Sequence, residues 1–577
     1  SVTDKPVTRV SLKERLENMK QKVLSLFLAA CMTAALVAGC GSTKNTANME
    51  NGGTENGSTV SNSTESGAQT ADTAASESGD YTRAGGEGEI VVGIISDPEN
   101  MGPWAGMSQG RIAILNTVYE YLITRENGET KGVLAKNWTQ IDDTTYEVEL
   151  YDYIHDTEGN PITASDIKFC FDSALATKNY SKLEVIDSVT VLDDYKVEFK
   201  FSKALAVGEL ENVFLECAIV SQAAYEASGD QMAVDPVGTT AYKVESYTPG
   251  SQLVLVNSND YWQTDDSLVW TTSKHNADKI TMSVITEASQ HTIAMQTHTV
   301  DIANGVPDTD VPKFDEGGEY ADGNEVEVLL DNLTYDILYN MSADSVFAED
   351  ENLRKAIAYA IDREGLNTGA FNGNGAAVKD FANATYPDYN KEWDGEDYFD
   401  YNIDTAKDYL AKSSYNGQSL RLMYTTSTTA DMIAQMVQAY LGNIGVTVEL
   451  VPYEQMSFIA SQFDSTAYDI MLRTTGSTDY IVNQWKLCWY SPDFESTTGG
   501  TANFVKDSKL DELMAACLNV NTYGEESIDA FHDYLAEKCY GYGIVEGTIN
   551  SVHSKYITKV ALDDRNQILP GACELAE

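Results

Sequence analysis

Between residues 405 and 472 the hydrophobic period switches repeatedly, and this restricts the fold more than any other feature of the chain. "TADMIAQMVQAYLGNIG" places Ile433, Met436, Val437, Tyr440 and Leu441 on one helical stripe, with Gly445 suited to the C-terminal cap. The strand "VTVELVPY" follows at once, then a short helix around "MSFIASQF", then the strand "YDIML". Strand and helix in alternation predict an α/β lobe with a mixed sheet. Upstream, "EIVVGIIS" predicts a first strand, and "YEVELYDYI" and "DYKVEFKFS" are period-two strands separated by the helix "ITASDIKFCFDSALA". "SQLVLVNSNDYW" is another strand. Leu353, Ala356, Ile357, Ala360 and Ile361 mark a further helix with one buried stripe.

The start of the chain has a different logic. From Val23 to Cys40, 18 positions carry no charge. That length only just reaches a transmembrane candidate. A short basic start at Met19-Lys20-Gln21-Lys22, an apolar core and small residues before Cys40 instead give the order of a secretory signal peptide. The alternative is a retained signal anchor. Residues 1–18 precede Met19, the expected start. Val37-Ala38-Gly39-Cys40 resembles the lipobox of bacterial lipoproteins, which implies lipidation of Cys40 and removal of residues 1–39. Gly41 to Glu89 is dominated by Ser, Thr, Asn, Gly, Ala and Glu, with Tyr81 as its only aromatic residue. Such a segment buries too little apolar surface to fold, and as a coil it would reach roughly 40 Å. Residues 40–87 are therefore expected to be a flexible tether.

Length allows about three or four domain-sized units. Against 38 Lys and Arg stand 89 Asp and Glu, a net charge of −51, which argues against nucleic-acid partners. A uniformly acidic surface serves solubility, so a cationic ligand does not follow from charge alone. Cys31 lies in the signal. The other cysteines (Cys170, Cys217, Cys488, Cys517, Cys539, Cys573) form no C-x-x-C pair, and their pairing stays open. No histidine pair has metal-ligand spacing, so no metal site or cofactor is expected. "GMSQG" fits G-x-S-x-G with Ser108 as nucleophile, but no strand leads directly into it as a nucleophile elbow demands. The chain is not expected to be an enzyme.

Four ordered stretches carry a resemblance. "KGVLAKNWTQIDDTTYEVELYDYIHDTEGNPITASDIKFCFDSAL", "DPVGTTAYKVESYTPGSQLVLVNSNDYW", "SQHTIAMQTHTVDIANGV" and "NLRKAIAYAIDRE" resemble, in that order, segments of the oligopeptide, dipeptide and nickel class of ABC-importer solute-binding proteins. Thr297-His298-Thr299 replaces the usual Ser-Gly-Glu. The resemblance covers roughly residues 88–560. It implies an α/β periplasmic-binding-protein type II clamshell with mixed sheets and an extra third domain. Lobe I would comprise 88–125, 236–335 and 541–577, the appended domain 126–235, and lobe II 336–540. Crossovers would lie near 334–340 and 540–547. The implied function is capture of a small peptide between the lobes and delivery to ABC permease subunits, by a monomer lipid-anchored outside the cell membrane.

The resemblance also carries site residues. In "YDIMLRTTGSTDYIVNQW", Asp479 falls where peptide binders hold the N-terminal ammonium, followed by Tyr480, and Arg473 where a C-terminal carboxylate can be met. The alternatives are an internal Arg473–Asp479 salt bridge or a solvated Asp479. The family's Trp before the aspartate is replaced by Thr475, Gly476 and Ser477, and Gln455 stands where relatives often carry Trp. Trp104, in the loop after the first strand, is expected to supply replacement surface. The same scaffold could instead take a nickel chelate, an opine or an oligosaccharide.

Overall fold

The computed structural model describes residues 83–576, apart from 107–108, 127, 308, 383, 385, 477–478, 495–500 and 564–566. The signal segment, Cys40, most of the polar tether and Ser108 lie outside the described residues. Among the described residues no helix is long and apolar enough to cross a membrane.

β1 (Glu89–Ile94) buries Ile90 and Val92 at alternate positions and is followed by α1 (Gln109–Val118). Next come the strands β2 (Ala135–Asp142), β3 (Thr145–Leu150), β4 (Ile186–Asp193) and β5 (Lys196–Phe201). They form a separate antiparallel sheet in the order β2-β3-β5-β4. Packed with it are α2 (Ala164–Thr177), started where the Thr163 N–H donates to the Asp166 carboxylate at 2.8 Å, and α3 (Glu209–Glu216).

The chain then builds the main sheet. Its remaining strands are β6 (Tyr242–Thr248), β7 (Gln252–Asn257), β8 (Lys279–Val284), β9 (Ile302–Asn304) and the long β10 (Asn324–Tyr339). After the helices α4 (Glu351–Ala360) and α5 (Arg363–Phe371) come β11 (Leu420–Thr425), α6 (Thr428–Ile444), β12 (Val448–Tyr453), α7 (Gln455–Ser461), β13 (Ile470–Gly476), α8 (Ile481–Trp489) and the long β14 (Gly541–Ser554). The order is β12-β11-β13-β10-β14-β9-β1-β8-β7-β6, a mixed sheet that the short strand Ala376–Ala377 joins beside β14.

The helical stripe read from sequence on α6 is present, with Ile433, Val437 and Leu441 fully buried and Met436 and Tyr440 at its edge. Each fully buried aliphatic side chain there contributes about 1.5–3 kcal/mol. Gly445 ends the helix at φ +90°, its N–H donating to Leu441 O. All six described cysteines are buried, unpaired thiols.

Two large cores result. One joins β1 and its neighbours to the appended sheet; the other surrounds β11, β13, α4 and α6. Between them run β10 and β14, paired from Asn324↔Ser554 to Leu338↔Gly541 with the register broken between Leu330 and Thr334. The break falls just ahead of the 334–340 crossover inferred from sequence. Burial drops on both strands at the same level, at residues 548–550 and at Val328 and Leu333, which are 36% and 42% exposed. A register break with thin cover is where such a ladder bends most easily.

One glycine of the "DPVGTTAY" stretch has a packing reason. A Cβ on Gly238 would lie 1.9 Å from the Val118 carbonyl oxygen, where α1 ends and Thr240 Oγ1 donates to Thr117 O at 2.7 Å. Gly238→Ala should lower stability by about 2 kcal/mol or more in denaturant unfolding. Gly395→Ala, which meets nothing within 4 Å, should stay within about 0.5 kcal/mol of the parent. Equal effects would refute the close-approach explanation.

Candidate ligand site on lobe II

β11, β12 and β13 run parallel, so their carboxyl ends open on one side of lobe II. A crevice at the carboxyl ends of parallel strands is the usual ligand position in open α/β sheets. Here a cavity of about 470 Å³ is lined by Thr425, Ser427, Gln455, Phe458, Thr474 and Tyr335, among others, with Arg473 on its wall. That volume lies in the range of small-molecule pockets. Ser427 caps α6 by accepting the Ala430 N–H.

Arg473 lies opposite Asp336 of β10 in register. Its guanidinium donates to Cys488 Sγ and stands 5.8 Å over the Trp485 ring. Asp336 is fully buried; Thr475 Oγ1 donates to one carboxylate oxygen and the other finds no donor. Burial pushes the Asp336 carboxyl well above its ordinary range, against the Thr475 hydrogen bond and the Arg473 charge.

Asp479 stands before α8, where lobe II meets the appended domain. Its Oδ1 accepts the Tyr480 N–H at 2.7 Å and Asn483 Nδ2 at 3.1 Å. Its Oδ2 accepts Asn212 Nδ2 of α3 at 2.7 Å. Asn483 also donates to Val207 O at 2.7 Å, and Gly208, at φ +75°, lets the Tyr480 ring approach where a Cβ would lie 2.4 Å from it. Asp479 is thus neither bridged to Arg473 nor turned into open solvent.

Two further carboxylates converge on this corner, and sequence reasoning missed both. Asp388 Oδ1 accepts the Ile481 N–H at 2.9 Å, while its buried Oδ2 finds no donor. Burial pushes the Asp388 carboxyl up to about 6, and the Asp479 charge adds to the rise. Glu211 of α3 is raised chiefly by burial, with Arg125 as the opposing positive charge. Tyr386 donates to Gly476 O at 2.8 Å and fixes the end of β13. No local pattern marks Asp388, because its partners lie more than ninety residues away in sequence.

Trp104 does not serve as a wall of the cavity. It is 4% exposed, its indole N–H donates to Ala218 O at 3.0 Å, and its ring packs against Phe169 and Tyr225. An apolar ring with one satisfied donor has a complete role in the core there. Among the described residues, Glu396, His532 and Asp533 bring three possible ligand atoms within 4.8 Å. His532 is already held by the Asp380 carboxylate at 3.1 Å and stacked 4.3 Å from Trp393.

The raised Asp388 carboxyl gives a signed expectation. A folded value near 6 against an ordinary 3.8 means that the buried charge is destabilising above pH 6. That penalty is relieved as the proton is taken up between about pH 6 and 4, and it is worth about 1–3 kcal/mol. Asp388→Asn keeps an acceptor for Ile481. It should be more stable than the parent near neutrality, and the difference should shrink over that window in denaturant titrations. A difference independent of pH would show that Asp388 is not charged in a buried position.

Known proteins share the family pattern and the fold. Residues 129–497 match the model for bacterial extracellular solute-binding proteins, family 5 Middle. A nickel-binding protein NikA of Staphylococcus aureus is 24% identical over 400 residues, 68% of this chain and 75% of that protein. A glutathione-binding protein GsiB of Escherichia coli is 23% identical over 497 residues, covering 82% of this chain and 91% of that one. The solved oligopeptide-binding protein AppA of Bacillus subtilis, in complex with a nonapeptide, superposes with a TM-score of 0.60 at 20% identity, over 85% of this chain and 99% of that one. It shares the two-lobed type II fold.

Proposed function

The chain belongs to the bacterial extracellular solute-binding proteins of family 5, and from that premise we propose that it captures peptides between its lobes and hands them to an ABC permease. The observation that carries the peptide reading is the convergence of Asp479, Asp388 and Glu211 before α8, with one buried Asp388 oxygen lacking a donor. A peptide ammonium brings a charge and three donors to such a corner. An extended peptide running from it adds backbone pairing to protein backbone, with the cavity beside Arg473 receiving a side chain or the far carboxylate. In this reading Asp479 and Tyr480 define one end of the ligand and Arg473 the other. Neither Trp104 nor any cofactor takes part.

A second reading has its own support. Gln455 lines the cavity and Thr475 is buried where an aromatic wall was expected, so the site is more polar than a peptide site with aromatic walls. A nickel chelate, an opine or an oligosaccharide would suit such a lining, and thermal-shift screening of those solutes against a peptide pool separates the readings. The lipid-anchor reading places the body outside the cell membrane, held through Cys40. Cys40→Ser should then abolish incorporation of labelled fatty acid and release the protein from membranes.

Asp479→Ala should weaken a tetrapeptide with a free amino terminus about tenfold or more in isothermal titration. Its effect on stability should be about 1 kcal/mol, since Asn212 and Asn483 lose one acceptor. The parent should bind the N-acetylated peptide as weakly as the variant binds the free one. Unchanged affinity in the variant would remove Asp479 from the site.

A further inference from the structure

The register break between β10 and β14 is lined by two carboxylates, one of which has an oxygen without a donor. Glu546 is 1% exposed and its Oε1 finds no hydrogen-bond donor. Asp331, half-buried on the neighbouring strand, accepts the Leu333 N–H at 2.9 Å. Its carboxylate presses on the backbone beside Glu546, since a Cβ on Gly547 would lie 2.6 Å from an Asp331 oxygen.

A third acceptor borders them. Asn367 of α5 spends its amide N–H on Gly375 O at 2.8 Å, which leaves its buried Oδ1 without a donor. Gly375 is pressed between that Oδ1 and the Glu546 carbonyl oxygen, at 2.9 and 2.5 Å from the position a Cβ would take. Three side-chain acceptors thus gather around one crossing of the chain. A buried acceptor left unmatched is destabilising, and a cation with several N–H groups satisfies more than one at once.

The surroundings agree in sign. Burial, and next the Asp331 charge, push Glu546 up to about 8; burial pushes Asp331 up to about 6. On β10 the other titratable group is Tyr335, raised by burial and by Asp331. On α5, Arg363 donates to Lys379 O and Tyr398 O through one nitrogen and lies over the Tyr542 ring, and Glu364 is exposed. Neither opposes the acids. Tyr335 lines the cavity of the candidate site and stands 6.2 Å from Phe371, whose ring lies 3.3 Å from where a Cβ on Gly375 would stand, beside the Asn367 Oδ1. Aromatic faces favour a cation passing over them.

We propose that Asp331, Glu546 and Asn367 form a receptor for a positively charged group of the solute, the side chain of a lysine or arginine residue in a bound peptide. The proposal rests on the peptide-capture reading and adds a preference for basic peptides to it. The ammonium pairs with both carboxylates, and the proton that Glu546 holds at neutrality leaves to solvent as the cation enters.

Isothermal titration of the full chain near neutral pH, in two buffers of different ionisation heat, tests this. The peptides are Ala-Lys-Ala-Ala and its norleucine analogue, and cadaverine is the third probe. The lysine peptide should bind about tenfold more tightly than the analogue and release a proton on binding. Glu546→Gln and Asp331→Asn should each erase that preference, and Glu546→Gln the proton release, while affinity for the norleucine peptide stays within about twofold. Equal affinity for the two peptides, or proton release that survives Glu546→Gln, would overturn the receptor. If neither peptide bound, peptide capture itself would fall. The receptor would then be decided by cadaverine, whose proton-coupled binding, lost in Glu546→Gln, would sustain it and whose silence would end it.

Discussion

One ladder of backbone hydrogen bonds, between β10 and β14, carries the whole molecule. It runs from Asn324↔Ser554 to Leu338↔Gly541; the Leu338 end lies in the core around β11, β13, α4 and α6, and Val552 at the other end lies in a smaller cluster with Ala303, Val306 and Phe314. The pairing is interrupted between Leu330 and Thr334 and again between Tyr335 and Asp336, which is where the ladder bends most easily. The glycines of β14 do not loosen it. A Cβ on Gly541 would meet Leu338 at 2.8 Å, on Gly543 Val378 at 2.5 Å, and on Gly547 the Asp331 carboxylate at 2.6 Å. They let neighbouring chain approach closely, and the flexibility comes from interrupted pairing.

Buried charge is sorted by sign around that ladder. The buried arginines serve as backbone clamps. Arg111 holds Gly102 O at 2.7 Å, Arg354 holds Lys538 O at 2.8 Å, and Arg363 holds Lys379 O at 2.8 Å. None of these contacts is spent on the acids. Asp336 and Glu546 are consequently buried with an oxygen unmatched, and Asp388 likewise has one buried oxygen without a donor. Unpaired buried carboxylates are destabilising, and such groups cluster at functional sites. The excess of acid over base in the composition says nothing of this. The position of the few buried acids does.

The sequence made local periodicity legible and long-range placement illegible. Ile433, Val437 and Leu441 repeat at helical spacing and are buried, and "EIVVGI" is a strand, because both patterns are written within a few residues. The capped ends were equally readable: Gly445 has the φ that only a glycine adopts without strain. β10 was harder. Its 16 residues run from a small cluster at Val326 into the core at Ile337–Tyr339, and their burial changes character at the break, so no single period describes them. Trp104 illustrates the opposite failure. A tryptophan in a glycine-bounded loop suggests a ligand wall, yet Ala218, Phe169 and Tyr225 enclose it from far along the chain. Asp388 left no trace beside Asp479, since only tertiary packing joins them.

The contacts of Asp479 indicate how a site can be preformed without being sealed. Its donors are a backbone N–H and two side-chain amides, all neutral. A neutral donor to a carboxylate is weaker than an ammonium in the same place, because the charged partner adds Coulombic attraction that a low-dielectric corner strengthens. Asn212 holds the orientation of one carboxylate oxygen, as Tyr480 N–H and Asn483 hold the other. Because Asn212 belongs to α3 of the appended domain, this contact joins that domain to lobe II. Oδ2 accepts one donor where Oδ1 accepts two, so a further donor has room on the carboxylate while the domain contact through Asn212 is kept.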